Sequence, residues 1–269
     1  MKKILIILSF IIALIIIIQF GIYSYYIEPA MLNITRYKIK DEDLKGIKIV
    51  FPADFHLRPY QKERLNNIVK IINDENADLV LCIGDFVAGH TKNVTMQIEE
   101  IAEELSKVKS KYGFYTVLGN HDIWYGEKRI VAALSKNNIK VLDNENIKLN
   151  IDGKTVYIAG IEDMQTQKPD ISKALANTST PIIFLTHTPD MFPKTPSCVN
   201  LTLAGHTHGG QIDLPIIGTI FTASKYFRKY AKGLIIENDK KMIVSKGIGV
   251  SIIPIRFNCI PEIVVIEFE

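Results

Sequence analysis

The chain is poor in cysteine and nearly balanced in charge. Its three cysteines, Cys82, Cys198 and Cys259, include no C-x-x-C pair, which excludes a disulfide framework and zinc-finger spacing. Cys82 stands inside the apolar run Leu79–Ile83 and reads as a small core residue. A net charge of +3 is too slight to argue for nucleic acid, and none is expected as a partner. There is no internal repeat and no low-complexity tract. Charged residues make up 23% of the 269, the ordinary share of a folded domain, which excludes disorder.

Long apolar runs are present once. After Met1-Lys2-Lys3 comes ILIILSFIIALIIIIQFG, followed by Tyr23, Tyr25 and Tyr26. About 18 apolar residues cross a hydrocarbon core as a helix, and tyrosines at the end suit the headgroup layer. The run exceeds the roughly 7–15 residues of a signal h-region, and no clear A-x-A site follows. Residues 1–26 are therefore expected to form a single-pass membrane anchor, 27–45 a polar juxtamembrane connector, and 46–269 one folded domain. Lys2 and Lys3 abut the run and favour a cytoplasmic amino end with the domain outside. Arg36, Lys38 and Lys40 pull the other way, so the cytoplasmic face is the alternative.

From Ile47 short β-rich runs alternate with amphipathic stretches. Strands are expected at Ile47–Pro52, Leu79–Ile83, Phe114–Leu118, Val156–Ala159, Ile182–Thr186 and Asn200–Ala204. Helices are expected near 61–75, 94–109 and 126–138; in the second, Ile98, Ile101, Ala102, Leu105 and Val108 recur at helical spacing. Alternation of this kind predicts an α/β fold with parallel βαβ units. From Leu234 onward only strands follow, which suggests a second sheet packed on the first.

Five of the six histidines fall in short motifs, each beside an expected strand end. Asp54-Phe55-His56 follows IKIVFPA, Gly84-Asp85 ends LVLCIG, and Gly119-Asn120-His121-Asp122 ends FYTVL. His187 follows IIFLT, and Gly205-His206-Thr207-His208 ends NLTLA. Each piece alone is common. Together they point to one site, because ligands of open α/β sheets gather at the carboxyl ends of strands. In the two D-x-H-like pairs, residues two apart in an extended chain would point the same way. Imidazole, carboxylate and amide oxygen without thiolate suit two divalent ions: manganese first, with iron, zinc or magnesium as alternatives. The sixth histidine, His90, reads as a solvated loop residue.

The order D-x-H, G-D, G-N-H-D, H and G-H-T-H resembles the calcineurin-like metallophosphoesterase superfamily. LTHTPDMF, AGHTHGGQIDLP, KGIGVS and PIRFNCIPEI resemble its membrane-associated bacterial branch. The resemblance implies a four-layer α/β/β/α sandwich. It also implies that Asp54, His56, Asp85 and His208 hold one metal, and that Asp85 bridges to a second held by Asn120, His187 and His206. His121 would face the substrate, stabilise developing charge and protonate the leaving oxygen. Two cations about 3.5–4 Å apart clamp a phosphate and acidify a water for in-line attack. The sequence departs from the pattern at Ala88, where many relatives carry an aspartate that orients the histidine; Asp122 is the candidate substitute. The anchor, together with the mixed aromatic and basic segment PIIGTIFTASKYFRKYAKG, favours a phosphodiester or pyrophosphate in a lipid or lipid precursor as substrate. The alternative is a tethered esterase of soluble nucleotide or cell-wall phosphoesters.

Overall fold

The computed structural model describes residues 2–89 and 93–269; His90 lies outside them. Helix α1 (Lys2–Ile22) buries none of its residues, and with the wide π turn Tyr23–Ile27 and the tight 3-10 turn Glu28–Ala30 it is long and apolar enough to cross a membrane. In the first half follow β1 (Asn33–Ile39), β2 (Lys48–Phe51), α2 (Lys62–Asp74), β3 (Leu79–Cys82), α3 (Ile98–Leu105), β4 (Phe114–Thr116), α4 (Asn120–Lys136) and β5 (Ile139–Val141). The second half holds β6 (Glu145–Ile151), β7 (Lys154–Gly160), α5 (Ile171–Ala174), β8 (Ile182–Leu185) and β9 (Leu201–Ala204). It ends with the two-residue strands β10 (Asp213–Leu214) and β11 (Gly218–Thr219), then β12 (Gly233–Glu237), β13 (Lys240–Val244) and β14 (Glu262–Phe268).

Two six-stranded sheets result, in the orders β1-β14-β2-β3-β4-β5 and β12-β13-β9-β8-β7-β6. Strand alternation explains how they stack. From β2 and β3, Ile49, Phe51, Leu79 and Leu81 face the second sheet, where they meet Ile158, Ile183, Leu185, Leu201 and Leu203. Val50, Val80 and Cys82 point the other way, onto the helices. Helix α2 offers Leu65, Ile68, Val69 and Ile72 to that face, an apolar stripe at helical spacing. Beyond the second sheet, Ala159, Ile182 and Phe184 pack on Ala174 of α5 and on Met191. The layers are helix, sheet, sheet and short helices, and each fully buried Leu, Ile or Phe contributes roughly 1.5–3 kcal/mol.

Three expectations are corrected. The stretch 27–45 is not a free connector: its β1 pairs in parallel with β14, Asn33 opposite Glu262 through Ile39 opposite Phe268. Helix α1 is thus joined to the sheet with little slack. The late strands do not form one sheet. β12 and β13 extend the second, whereas β14 enters the first, antiparallel to β2. Helix α4 begins at Asn120, because a first helical segment precedes the one expected near 126–138 and meets it at a kink where Gly126 leaves helical geometry, at φ 139°.

Candidate metal centre

The carboxyl ends of β2, β3, β4, β8 and β9 open onto one place, and the loops that leave them carry the residues singled out above. Asp54 and His56 follow β2, Asp85 follows β3, Asn120 and His121 open α4, His187 follows β8, and His206 and His208 follow β9. The paired residues do not owe their common direction to strand alternation. Asp54 and His56 have φ of 48° and 42°, His206 and His208 of 67° and 51°, and Asp85 of 54°. These are left-handed turns, each costing a non-glycine residue roughly 1–3 kcal/mol, and such strain gathers at functional sites.

Two clusters of ligand atoms meet at Asp85. Asp54, His56 and His208 place ligand atoms within 4.8 Å of one another, as do Asp85, His187 and His206. Asp85 Oδ2 lies 3.3 Å from His56 Nε2 and 3.4 Å from His187 Nε2, so one carboxylate serves both clusters. His208 Nε2 faces His56 Nε2 at 3.0 Å. His187 Nε2 faces both Asn120 Oδ1 and His206 Nδ1 at 3.0 Å, while its Nδ1 is 2.8 Å from the Ile83 carbonyl oxygen. In the neutral form that ligates, His187 donates from Nδ1 to the Ile83 carbonyl and turns its Nε2 lone pair towards the place where Asn120 Oδ1 and His206 Nδ1 also converge, the arrangement a shared cation would use. The donor set fits two ions.

Electrostatics sharpen this. Burial, then the neighbouring His187, pushes His206 down to about 3. Burial, His56 and Arg256 lower His208. Both imidazoles are therefore neutral and able to ligate. Burial opposes ionisation of Asp85, but His187 and His56 overcome it and hold its carboxyl well below the usual range. Burial alone would lower His187; Asp85, Asp54 and Asp163 outweigh it and push it up to about 9.

Two glycines let these groups close up. A Cβ on Gly119 would sit 2.2 Å from Asp85 Oδ1 and 2.5 Å from His187 Cε1, and one on Gly205 would sit 2.4 Å from Asp54 Oδ2. We expect Gly119→Ala to weaken metal retention by about tenfold or more, the scale of disturbing a ligand's immediate support, as measured by metal content after dialysis. Unchanged content would show that the loop yields.

Asp122 does not orient His121. Its carboxylate accepts the backbone N–H groups of Asp85 (2.7 Å), Phe86 (2.9 Å) and Gly119 (3.1 Å), tying the β3 and β4 loops together. His121 is placed otherwise: its N–H donates to Asp85 Oδ1 at 2.9 Å, its ring stands edge-on to His56, and Nε2 is 3.4 Å from Ser251 Oγ. Ser251 was not singled out in the sequence, although the KGIGVS run that ends with it was.

Arg256 is a second residue missed. It is fully buried and donates to the carbonyls of Lys246 (2.7 Å), Gly249 (2.5 Å) and Cys259 (2.9 Å), with Nη2 3.4 Å from His208 Nδ1. The loop it holds backs the first cluster, since a Cβ on Gly247 would meet Asp54 Cβ at 2.7 Å and one on Gly249 His56 Cβ at 2.7 Å.

A sequence profile described as calcineurin-like phosphoesterase matches residues 47–210, the span that contributes every residue of the two clusters. The chain belongs to this family. It is 32% identical over 257 residues to the uncharacterized metallophosphoesterase YkuE of Bacillus subtilis, covering 92% of this chain and 89% of that one. An uncharacterized metallophosphoesterase of Aquifex aeolicus is 30% identical, with 93% and 96% covered. The phosphodiesterase YaeI of Escherichia coli is 26% identical, with 91% of each chain covered. Calcineurin-like phosphoesterases use a dinuclear divalent metal centre, and this member is a metal-dependent phosphoesterase whose candidate ligands form the cluster described above.

Above the clusters a cavity of about 710 Å³ opens. Its floor includes Asp85, Asn120, His121, His206 and His208, and its walls are mainly apolar.

Proposed function

We propose that the protein is a dinuclear-metal phosphodiesterase or pyrophosphatase acting on a lipid or lipid-precursor substrate at the membrane, with its catalytic domain outside the cell. The observation that carries the hydrolytic reading is the carboxylate of Asp85 within 3.4 Å of an imidazole from each cluster. Asp54, His56, Asp85 and His208 would hold one ion; Asp85, Asn120, His187 and His206 the other. When bound, two such ions clamp a phosphate and acidify a water. His121, at the cleft edge beside Ser251, would face the leaving oxygen and deliver a proton to it. Manganese suits this donor set, with iron, zinc or magnesium as alternatives. The apolar α1 supports membrane action, Lys2 and Lys3 beside it support the external placement, and the similarity to a protein named a phosphodiesterase supports diester chemistry.

The test is a screen of the full chain with added manganese against monoesters, diesters and pyrophosphates, with Asp85→Asn as the blank. Hydrolysis restricted to monoesters, or equal in the blank, would overturn the reading.

Metal loading should also depend on pH in a defined direction. His187, held near 9 by Asp85, Asp54 and Asp163 against the effect of burial, must lose its proton to ligate, so protons compete with metal below that value. Apparent affinity is therefore expected to rise about tenfold per pH unit between pH 6 and 8. Calorimetry in two buffers of different ionisation enthalpy should find about one proton released. Affinity flat with pH would show that His187 is not a ligand.

A further inference from the structure

Hydrocarbon, rather than charge, dominates the mouth of the metal cleft. Trp124, Ile212, Ile220, Phe221, Ile252 and Ile253 line the cavity together with His121 and His208. Ile252 is 86% exposed, Phe221 66%, and Ile220 and Ile253 52% each. An apolar lip held open to water beside a charged metal floor is costly unless something apolar covers it. Three basic residues of the same segment are engaged within the domain: Lys229 with Glu237 at 2.8 Å, Lys232 with Asp213 at 2.5 Å, and Arg228 Nε with the Thr219 carbonyl, while Lys225 Nζ lies over the Tyr226 ring.

The lip also stands at the foot of the membrane helix. Phe20, inside the apolar stretch of α1, packs on Phe257 with ring centroids 4.7 Å apart, and the Arg256 N–H donates to the Ser24 carbonyl at 2.9 Å. Phe257 is bridged to Ile212, and its N–H donates to the Gln211 carbonyl. The Gln211 side chain donates to the Ile253 carbonyl and accepts the Ser251 N–H, so it clasps both walls. The contacts run unbroken from α1 to the cavity wall.

We infer that the apolar lobe formed by Ile212, Ile220, Phe221, Ile252, Ile253 and Trp124 is a subsite for the hydrocarbon chain of a lipid phosphoester whose phosphate lies over Asp85 and His121. The lobe would receive the chain directly from the bilayer surface beside α1. This rests on the phosphoesterase reading above and specifies what its substrate carries.

The experiment uses the full chain in nanodiscs with manganese and a matched pair of diesters, dodecyl p-nitrophenyl phosphate and methyl p-nitrophenyl phosphate. Partition into the nanodisc is common to wild type and variants, so a change between them belongs to the protein. Wild type should favour the dodecyl ester in kcat/KM, and the double variant Ile252→Ser/Ile253→Ser should lower that preference by about tenfold or more. Phe221→Ser provides an independent second variant on the opposite wall. Trp124 is the only tryptophan, so its emission reports on the lobe itself: dodecylphosphonate should shift it to the blue and methylphosphonate should not. A wild type without preference, variants whose preference stays within about twofold of wild type, or no emission shift would each overturn the subsite. Hydrolysis of neither diester by wild type would instead overturn the hydrolase reading, and the subsite with it.

Discussion

Asp85→Asn is expected to lower phosphoester hydrolysis by about a thousandfold or more, about 4 kcal/mol of barrier, and to reduce bound metal to one ion or fewer per chain. The asparagine would keep the shape of the side chain, and its oxygen could still accept the His121 N–H that Asp85 Oδ1 accepts at 2.9 Å. What it removes is the negative charge. In the fully buried floor that charge lies 3.3 Å from His56 Nε2 and 3.4 Å from His187 Nε2, one imidazole from each cluster. A neutral amide cannot balance two divalent ions in a medium where each uncompensated charge is costly. Elemental analysis alongside turnover separates this from simple damage. Loss of activity with two ions retained would mean that Asp85 acts on the water or the substrate and does not bridge.

What was legible in the sequence was local. Each motif lay beside a short run of β-branched, aromatic or aliphatic residues that became a strand, so the positions of the carboxyl ends followed from composition. The conformation of the ligands was not legible. Asp54, His56, Asp85 and His208 are not glycines, yet each sits at positive φ, with the backbone of Gly247, Gly119 and Gly249, from distant segments, lying close against them. Strand β1 escaped for a similar reason. NITRYKI reads as polar connector, and only its pairing with β14, which arrives at the far end of the chain, makes it an edge strand. Arg256 escaped because an arginine in a late coil reads as surface. It is interior only because Lys246, Gly249 and Cys259 all turn carbonyls towards it. Asp122 was recognised, but its use was not: three backbone N–H groups from two loops converge on it, a geometry that spacing cannot reveal.

The same Arg256 carries the second large effect. Arg256→Lys is expected to destabilise the protein by about 3–5 kcal/mol, the cost of breaking a buried charged network from one side. It should also empty the cluster of Asp54, His56 and His208 before the other. Charge is conserved in this substitution; the fork is not. One guanidinium donates in different directions to Lys246, Gly249 and Cys259 and reaches His208 Nδ1, whereas an ammonium on a flexible stem cannot span those carbonyls. The freed loop would loosen Gly247 and Gly249, the backing of Asp54 and His56. Glu28 links this brace to α1. Fully buried just beyond α1, its carboxylate accepts the N–H groups of Asn258 at 2.9 Å and Cys259 at 2.5 Å. Glu28→Gln keeps an acceptor oxygen and so should cost less than Arg256→Lys while moving metal content in the same direction. Thermal melting and metal stoichiometry of both variants in nanodiscs check the pair. A wild-type melting point with both ions retained in Arg256→Lys would show that the loop holds its shape without the fork. A lowered melting point with both ions retained would reduce Arg256 to a stabiliser of the fold. Selective loss of one ion is the signature of a brace that runs from α1 to Asp54, His56 and His208.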